Sequence, residues 1–388
     1  RLSSKRTRAG RSREKKGGQG LEPDRLFLYN PRTPSTGMTE VSMNRISILV
    51  LTIGASVVLL SLGGLVTFWF VALPSKGKAL AHDAGLPHPA ILAHRGASYL
   101  APEATRAAYL MARELGVDYL ELDLQRTRDG ILVALHDDTL TRTSNIDEVF
   151  PGRASDTVET FTFAELRQLD MGEWFNRTFP KRARKSFHGL GILRLEDVLE
   201  IAEAASPPIG LCIETKRAHR FPDLERQLVE ELTTRGWTRQ GLPGRASLIF
   251  ESFEPESLER LKVLAPEISR LLLVDQVLLE RLGWDGVLRV GEKLGTAIGP
   301  WGYGWAFGPE WSSGAGKRYV PTWPWYTRAA HQAGLVVFPW TIDDHWEMWM
   351  VRLTGADGIF TNRSELALEV FGRSPASDIE SLWQKIGY

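Results

Sequence analysis

From Ala90 onward, short apolar runs alternate with amphipathic stretches, and this alternation restricts the chain to folds built on a mainly parallel sheet. The strand-like runs are Ala90–His94, Asp118–Leu124, Ile131–Leu135, Ile209–Glu214, Ala246–Glu251, Arg270–Val274, Thr296–Gly299, Leu335–Pro339 and Gly358–Thr361. Between them, helical periodicity marks Thr105–Leu115, Leu195–Ala205, Asp223–Arg235, Pro255–Leu264, Tyr326–Ala333 and Trp346–Leu353. Ile131–Leu135 follows the turn signal Arg128-Asp129-Gly130, so it is expected to fold back beside its predecessor. Eight runs then remain for a closed α/β barrel of the TIM (β/α)8 type. An open doubly wound sheet is the alternative, and the absence of a G-x-G-x-x-G after the first run counts against it. Residues 144–190 break the alternation, with one short helix near Phe163–Leu169, and are read as an insertion after the second strand, over one barrel end.

The N-terminal quarter is of another kind. Residues 1–45 carry eleven Lys/Arg against four Asp/Glu, whereas residues 46–75 carry no charge. The uncharged stretch Ile46–Leu73 exceeds the roughly 20 apolar residues that a membrane-spanning helix needs. Positive charge before it predicts a cytoplasmic N-terminal tail, residues 1–45, and a barrel on the far side of the membrane, periplasmic or extracellular. Two readings stand: a retained anchor, favoured by length, or a signal cleaved near Ala79-Leu80-Ala81, which would release a secreted protein. Met43 offers an alternative start. The basic run Arg1–Lys16 reads as a solvated tail rather than a nucleic-acid contact. Residues 74–89 read as a linker, 90–373 as the barrel and 374–388 as a closing helix. With 43% hydrophobic and 24% charged residues, the chain is neither disordered nor polytopic. Its one cysteine, Cys212, excludes an intramolecular disulfide and a Cys-rich zinc site, and reads as a small buried hydrophobe.

Chemistry-bearing residues gather at the ends of the early strands. His94 ends the first; Glu121 and Asp123, two apart on the second, share a face; His136 follows the return strand; Glu214 ends the next, with Lys216 two residues on. In such a barrel the C-terminal ends of the strands form the active-site mouth. Three carboxylates converging there repel one another unless a cation joins them, and oxygen ligands without thiols favour Ca²⁺ or Mg²⁺. A cation beside Arg95 and Lys216 suits a phosphate oxygen, and two histidines supply a general base and a general acid. Together these features describe phosphoester cleavage.

The motifs His94-Arg95-Gly96-Ala97, Pro102-Glu103-Ala104-Thr105, Glu121-Leu122-Asp123, Thr127-Arg128-Asp129-Gly130, His136-Asp137, Leu140-Thr141-Arg142-Thr143, Glu214-Thr215-Lys216 and Asp357-Gly358-Ile359-Phe360-Thr361-Asn362 occur in this order. In them the chain resembles the glycerophosphodiester phosphodiesterase family from about Ala90 to Phe371. The resemblance implies a TIM barrel with an insertion, and a divalent metal on Glu121, Asp123 and Glu214. It implies acid–base work by His94 and His136, and phosphate contacts from Arg95 and Lys216. It further implies a small-molecule glycerophosphodiester substrate, giving glycerol 3-phosphate and an alcohol; neither nucleic acid nor an obligate protein partner is implied. Two departures stand out: Ala104 replaces the family's usual Asn, and Leu193-Arg194-Leu195 replaces its Pro-Thr-Leu. Two further readings stay open, a lysophospholipase D or phospholipase-C-like activity on membrane lipid, and a catalytically inactive envelope-anchored binding module.

Eight of the thirteen tryptophans fall between Trp301 and Trp349. The segment Gly299–Trp311 reads either as an aromatic lid, with Trp301 and Trp305 meeting substrate or membrane, or as ordinary packing. Trp340 ends the seventh strand and is expected to line the pocket.

Overall fold

The computed structural model describes residues 40–71, 76–239, 247–302 and 324–388. The chain divides into two units, one ending at Trp69 and one beginning at Phe70. In the first, Glu40–Val71 form one helix, and its segment Ser47–Leu65 has a mean hydropathy of 2.4. These 19 residues reach about 28 Å at ~1.5 Å each, enough to cross a bilayer's hydrocarbon core by length and composition. The helix begins at Glu40, within the basic tail expected over residues 1–45, and residues 1–39 of that tail lie outside the described residues.

In the second unit all nine expected strands form: β1 (Ala90–Ala93), β2 (Tyr119–Arg126), β3 (Leu132–Ala134), β4 (Gly210–Thr215), β5 (Leu248–Ser252), β6 (Ser269–Val274), β7 (Ala297–Pro300), β8 (Val336–Val337) and β9 (Gly358–Thr361). They run β8-β7-β6-β5-β4-β2-β1-β9, all parallel, with β3 antiparallel to β2. The two ends meet: Asp357 N–H donates to Val337 O at 2.9 Å and Phe360 N–H to Pro339 O at 3.0 Å. The result is a nearly closed eight-stranded parallel barrel, as expected.

Period-2 geometry sorts each apolar run into two layers. Leu92, Tyr119, Cys212, Ile249, Leu271, Phe338 and Phe360 fill the interior, Cys212 as the small buried residue expected. Ile91, Leu120, Leu211, Phe250, Leu272 and Ile298 face outward, into the core shared with the helices. Residues 74–89, expected as a linker, contain the short helix Gly77–Asp83, which places buried Ala81 in the interior cluster together with Leu86. Seven residues are too few for periodicity to reveal in the sequence. Another helix the sequence concealed is Gln276–Leu294. Glycines at 283, 286 and 291 depress its helical signal, and Gly283 kinks it at φ 64°.

Residues 144–190 are not structureless. They hold the short helices Ile146–Val149, Phe163–Leu166 and Glu173–Thr178, with two 3-10 turns between the first two and one after the third. Thr162 and Glu165 form a capping box at the middle one, the helix expected there. Ile146, Val158, Phe161, Leu166, Leu169 and Met171 make a separate small core with Val133 and Leu135. Arg182 donates to the Tyr99 carbonyl and lies 3.9 Å over its ring, which pins the insertion to the loop after β1. The C-terminal helix, Ile379–Ile386, closes over the insertion through Trp383, 5.5 Å from the Phe187 ring.

Candidate active site

The mouth begins with a forced turn. Arg95 (φ 56°) and Gly96 (φ 82°) are both left-handed, and a Cβ on Gly96 would lie 2.7 Å from the Ala108 carbonyl carbon. The turn aims the Arg95 N–H at Glu121 Oε2, 2.6 Å away. Ala104 is also left-handed (φ 54°), a conformation that Asn adopts at lower cost, so its departure from the family pattern carries local strain.

Seven of the eight expected site residues, His94, Arg95, Glu121, His136, Glu214, Lys216 and Trp340, line one cavity of about 190 Å³. The eighth, Asp123, is buried among them, with Arg95 Nε at 3.2 Å and Lys216 Nζ at 3.3 Å. Both cations sit out of line for hydrogen bonds, so the Asp123 oxygens keep their lone pairs free. Lys216 also pairs with Glu214 at 3.0 Å. Ligand oxygens of Glu121, Asp123 and Glu214 lie within 4.8 Å of one another, all buried. Such a set fits a divalent cation held by oxygens. Burial pushes the Glu121 carboxyl well up and that of Glu214 to about 7, whereas Lys216 and Arg95 outweigh burial at Asp123 and hold it low.

The two imidazoles are held differently. His94 Nδ1–H donates to Asn362 Oδ1 at 2.8 Å, and Asn362 is fixed by Asp343 Oδ2 at 2.6 Å and by the Ser98 hydroxyl at 2.7 Å. This hydrogen bond leaves the ring's Nε2 as a bare acceptor. Burial, reinforced by Arg95, pushes the His94 pKa down to about 3, so the ring is neutral. His136 Nδ1–H donates to Asp137 Oδ1 at 2.6 Å. Arg142 ties Asp137 (2.6 Å) to Glu103 (2.7 Å), and Glu103 in turn pairs with Arg95 at 2.9 Å. One chain of charged hydrogen bonds thus joins His136 to Arg95 on the loop after β1.

Glu103, Arg142, Asp137 and Asn362 stand within the sequence motifs without an evident role there; the pairs Glu103–Arg142 and Asn362–His94 form only when separate loops meet. Sequence reasoning missed Glu251, which lines the same cavity and is 1% exposed. The parallel endings Ile213-Glu214-Thr215 and Phe250-Glu251-Ser252 were the available signal. Trp340 stands edge-on to Phe253, with ring centroids 5.3 Å apart. Trp301 bridges to Trp340 through the backbone, whereas Trp305 and the rest of the expected lid lie outside the described residues. His136, Glu214, Lys216 and Phe253 also border a wider polar groove of about 600 Å³.

Comparison with known proteins places this geometry. Residues 94–366 match the model of the glycerophosphoryl diester phosphodiesterase family. The glycerophosphodiester phosphodiesterase of Bacillus subtilis is 31% identical over 306 residues, 78% of this chain and 92% of its own. That of Caldanaerobacter subterraneus is 29% identical and covers 72% of this chain and 96% of its own. Among solved structures, an Oleispira antarctica phosphodiesterase in complex with the product sn-glycerol-3-phosphate superposes with a TM-score of 0.55 at 25% identity, covering 74% of this chain and 97% of its own. Matched over most of its length in sequence and in fold, the chain belongs to the glycerophosphoryl diester phosphodiesterase family.

Proposed function

We propose that the protein hydrolyses glycerophosphodiesters to glycerol 3-phosphate and an alcohol, with His94 as general base and His136 as general acid. The observation that carries this reading is the convergence of two oriented imidazoles, two cations and a carboxylate triad on one cavity. Glu121, Asp123 and Glu214 would hold the divalent ion, Ca²⁺ or Mg²⁺; when bound it offsets phosphate charge and orients the diester. Arg95 and Lys216 bind the non-bridging oxygens. His94 Nε2 takes the proton of the oxygen that attacks phosphorus, either a water directly or the neighbouring glycerol hydroxyl, whose cyclic phosphate a water then opens. As the bond from phosphorus to the head-group oxygen breaks, His136 Nε2 gives a proton to that oxygen. Trp340 and Phe253 form an apolar wall of the cavity.

The helix Glu40–Val71 serves as a single membrane anchor, with the barrel outside the cytoplasm; the positive charge before it supports that orientation. A second reading, attack on lysolipid at a membrane surface, is favoured by one feature. Val277, Trp325 and Trp346 are 70%, 48% and 57% exposed, and each lies in the first turn of a helix that starts on the mouth side. The deciding assay offers glycerophosphocholine, glycerophosphoethanolamine and lysophosphatidylcholine to the full chain and follows glycerol 3-phosphate from the first two and lysophosphatidic acid from the third. Turnover of the soluble diesters that chelator abolishes and Ca²⁺ or Mg²⁺ restores is the expected result. Turnover of the lysolipid alone would support the second reading, and a rate indifferent to chelator would sink the metal assignment.

Asn362 acts as a positioning residue. Asn362→Leu is expected to lower kcat about a hundredfold, with KM little changed, because His94 loses the acceptor that fixes its tautomer. Nitrogen chemical shifts of the His94 ring would report the same loss. If those shifts and kcat stay at wild-type values, Asn362 does not orient the ring.

A further inference from the structure

The parallel register places carboxylates side by side. Asp123 pairs with Glu214 across β2 and β4, and Glu214 pairs with Glu251 across β4 and β5. In-register neighbours on adjacent strands are about 4.8 Å apart and point to the same face. Asp123, Glu214 and Glu251 therefore occupy one rung of the barrel interior. Glu121 stands one rung below, in register with Cys212. Glu251 is 1% exposed and opens onto the same cavity as Glu121 and Glu214. The Cys212 thiol hydrogen-bonds its carboxyl, Lys216 attracts it from a distance, and among the described residues its Oε2 has no hydrogen-bond partner. The two nearby cations are engaged elsewhere, Lys216 with Asp123 and Glu214, and Arg95 with Asp123 and Glu103. A buried carboxylate oxygen left bare is costly, so it calls for a partner in the working protein.

We propose that Glu251 is a fourth carboxylate of the cation site and biases that site toward Ca²⁺ over Mg²⁺. The proposal rests on the reading of the Glu121, Asp123 and Glu214 cluster as a metal centre. Ca²⁺ accepts about six to eight oxygens in flexible geometry, whereas Mg²⁺ holds a strict octahedron and keeps several of its waters. An extra carboxylate beside the triad therefore adds to Ca²⁺ binding and little to Mg²⁺ binding. Whether it reaches the ion directly or through a water, its removal is felt by the ion that uses more oxygens.

The test is calorimetric titration of chelator-stripped full chain in detergent micelles with Ca²⁺ and, separately, Mg²⁺, so that no turnover is needed. Wild type is expected to bind Ca²⁺ the more tightly. Glu251→Gln should weaken Ca²⁺ about tenfold or more while Mg²⁺ moves less than about threefold. Glu214→Gln should weaken both ions. Should Glu251→Gln not fold, Glu251→Asp carries the same comparison, because its carboxylate retreats by one methylene. Equal weakening of both ions in the Glu251 variant, or Ca²⁺ affinity within about threefold of wild type, overturns the proposal. Undiminished Ca²⁺ binding by Glu214→Gln would instead remove the metal-centre reading, and this proposal with it.

Discussion

Replacing His136 by alanine is expected to lower kcat by about 10²–10⁴-fold, with KM little altered. The side chain touches no structural core: it is a half-buried ring at the cavity wall, held through Nδ1 by Asp137. Its loss removes the proton delivered to the departing alkoxide and leaves phosphate binding to Arg95 and Lys216. His94→Ala should fall by a similar factor for a different reason, because it removes the acceptor for the nucleophile's proton. Leaving-group chemistry separates the two. A glycerophosphoryl ester of an acidic phenol needs no protonation to depart, so it should restore much of the rate to His136→Ala and none to His94→Ala. An equal response from both variants would show that the roles are not divided in this way.

The second large effect is on stability and lies at the opposite end of the barrel. Asp357, fully buried, accepts from His331 Nε2 at 2.8 Å, His88 Nε2 at 3.2 Å and the Val337 N–H at 2.8 Å. These bonds tie β9 to β8 and to the segment entering β1, where the ring of strands closes. Asp357→Ala is expected to lower the unfolding free energy by about 3–5 kcal/mol, because three donors lose their acceptor in a dry site. That corresponds to a melting point lower by roughly 10 °C. Burial raises the Asp357 pKa, but the hydrogen bonds from His331 and His88 outweigh it and hold the carboxyl below its usual value. A group lowered on folding stabilises above its unfolded pKa, about 3.9, and ceases to do so as pH falls through its folded value. The gap between wild type and variant should therefore be full near neutral pH and close in acid. A gap that stays constant down to the acid limit would assign the effect to packing alone.

Much of this was legible in the sequence. The strands announced themselves because both faces of a buried parallel strand are apolar, which makes runs such as Leu211-Cys212-Ile213 hard to mistake. His94, Glu121, Asp123, His136 and Glu214 stood out because charged or imidazole side chains interrupt those runs at their C-terminal ends. What stayed hidden depends on distance through space. Arg142 acquires its role only when the chain brings Glu103 and Asp137 to either side of it. Glu251 closed an ordinary strand until the register set it beside Glu214. The insertion's order comes from its own small core, which short turns of four to six residues do not reveal as periodicity.

The docked helix Gly77–Asp83 bears on how the chain can be processed. A small-x-small cleavage signal, Ala79-Leu80-Ala81, lies within it. Yet Ala81 is fully buried in the barrel interior, and Gly77 lies so close to Asp357 and His331 that a Cβ there would overlap the Asp357 carboxylate. A peptidase cutting after Ala81 would carry off Gly77 through Ala81, and water would reach the Asp357 cluster that closes the ring. If Glu40–Val71 anchors the chain as proposed, release by that cut and integrity of the barrel compete for the same peptide bond, and an enzyme generated there would be the more fragile one.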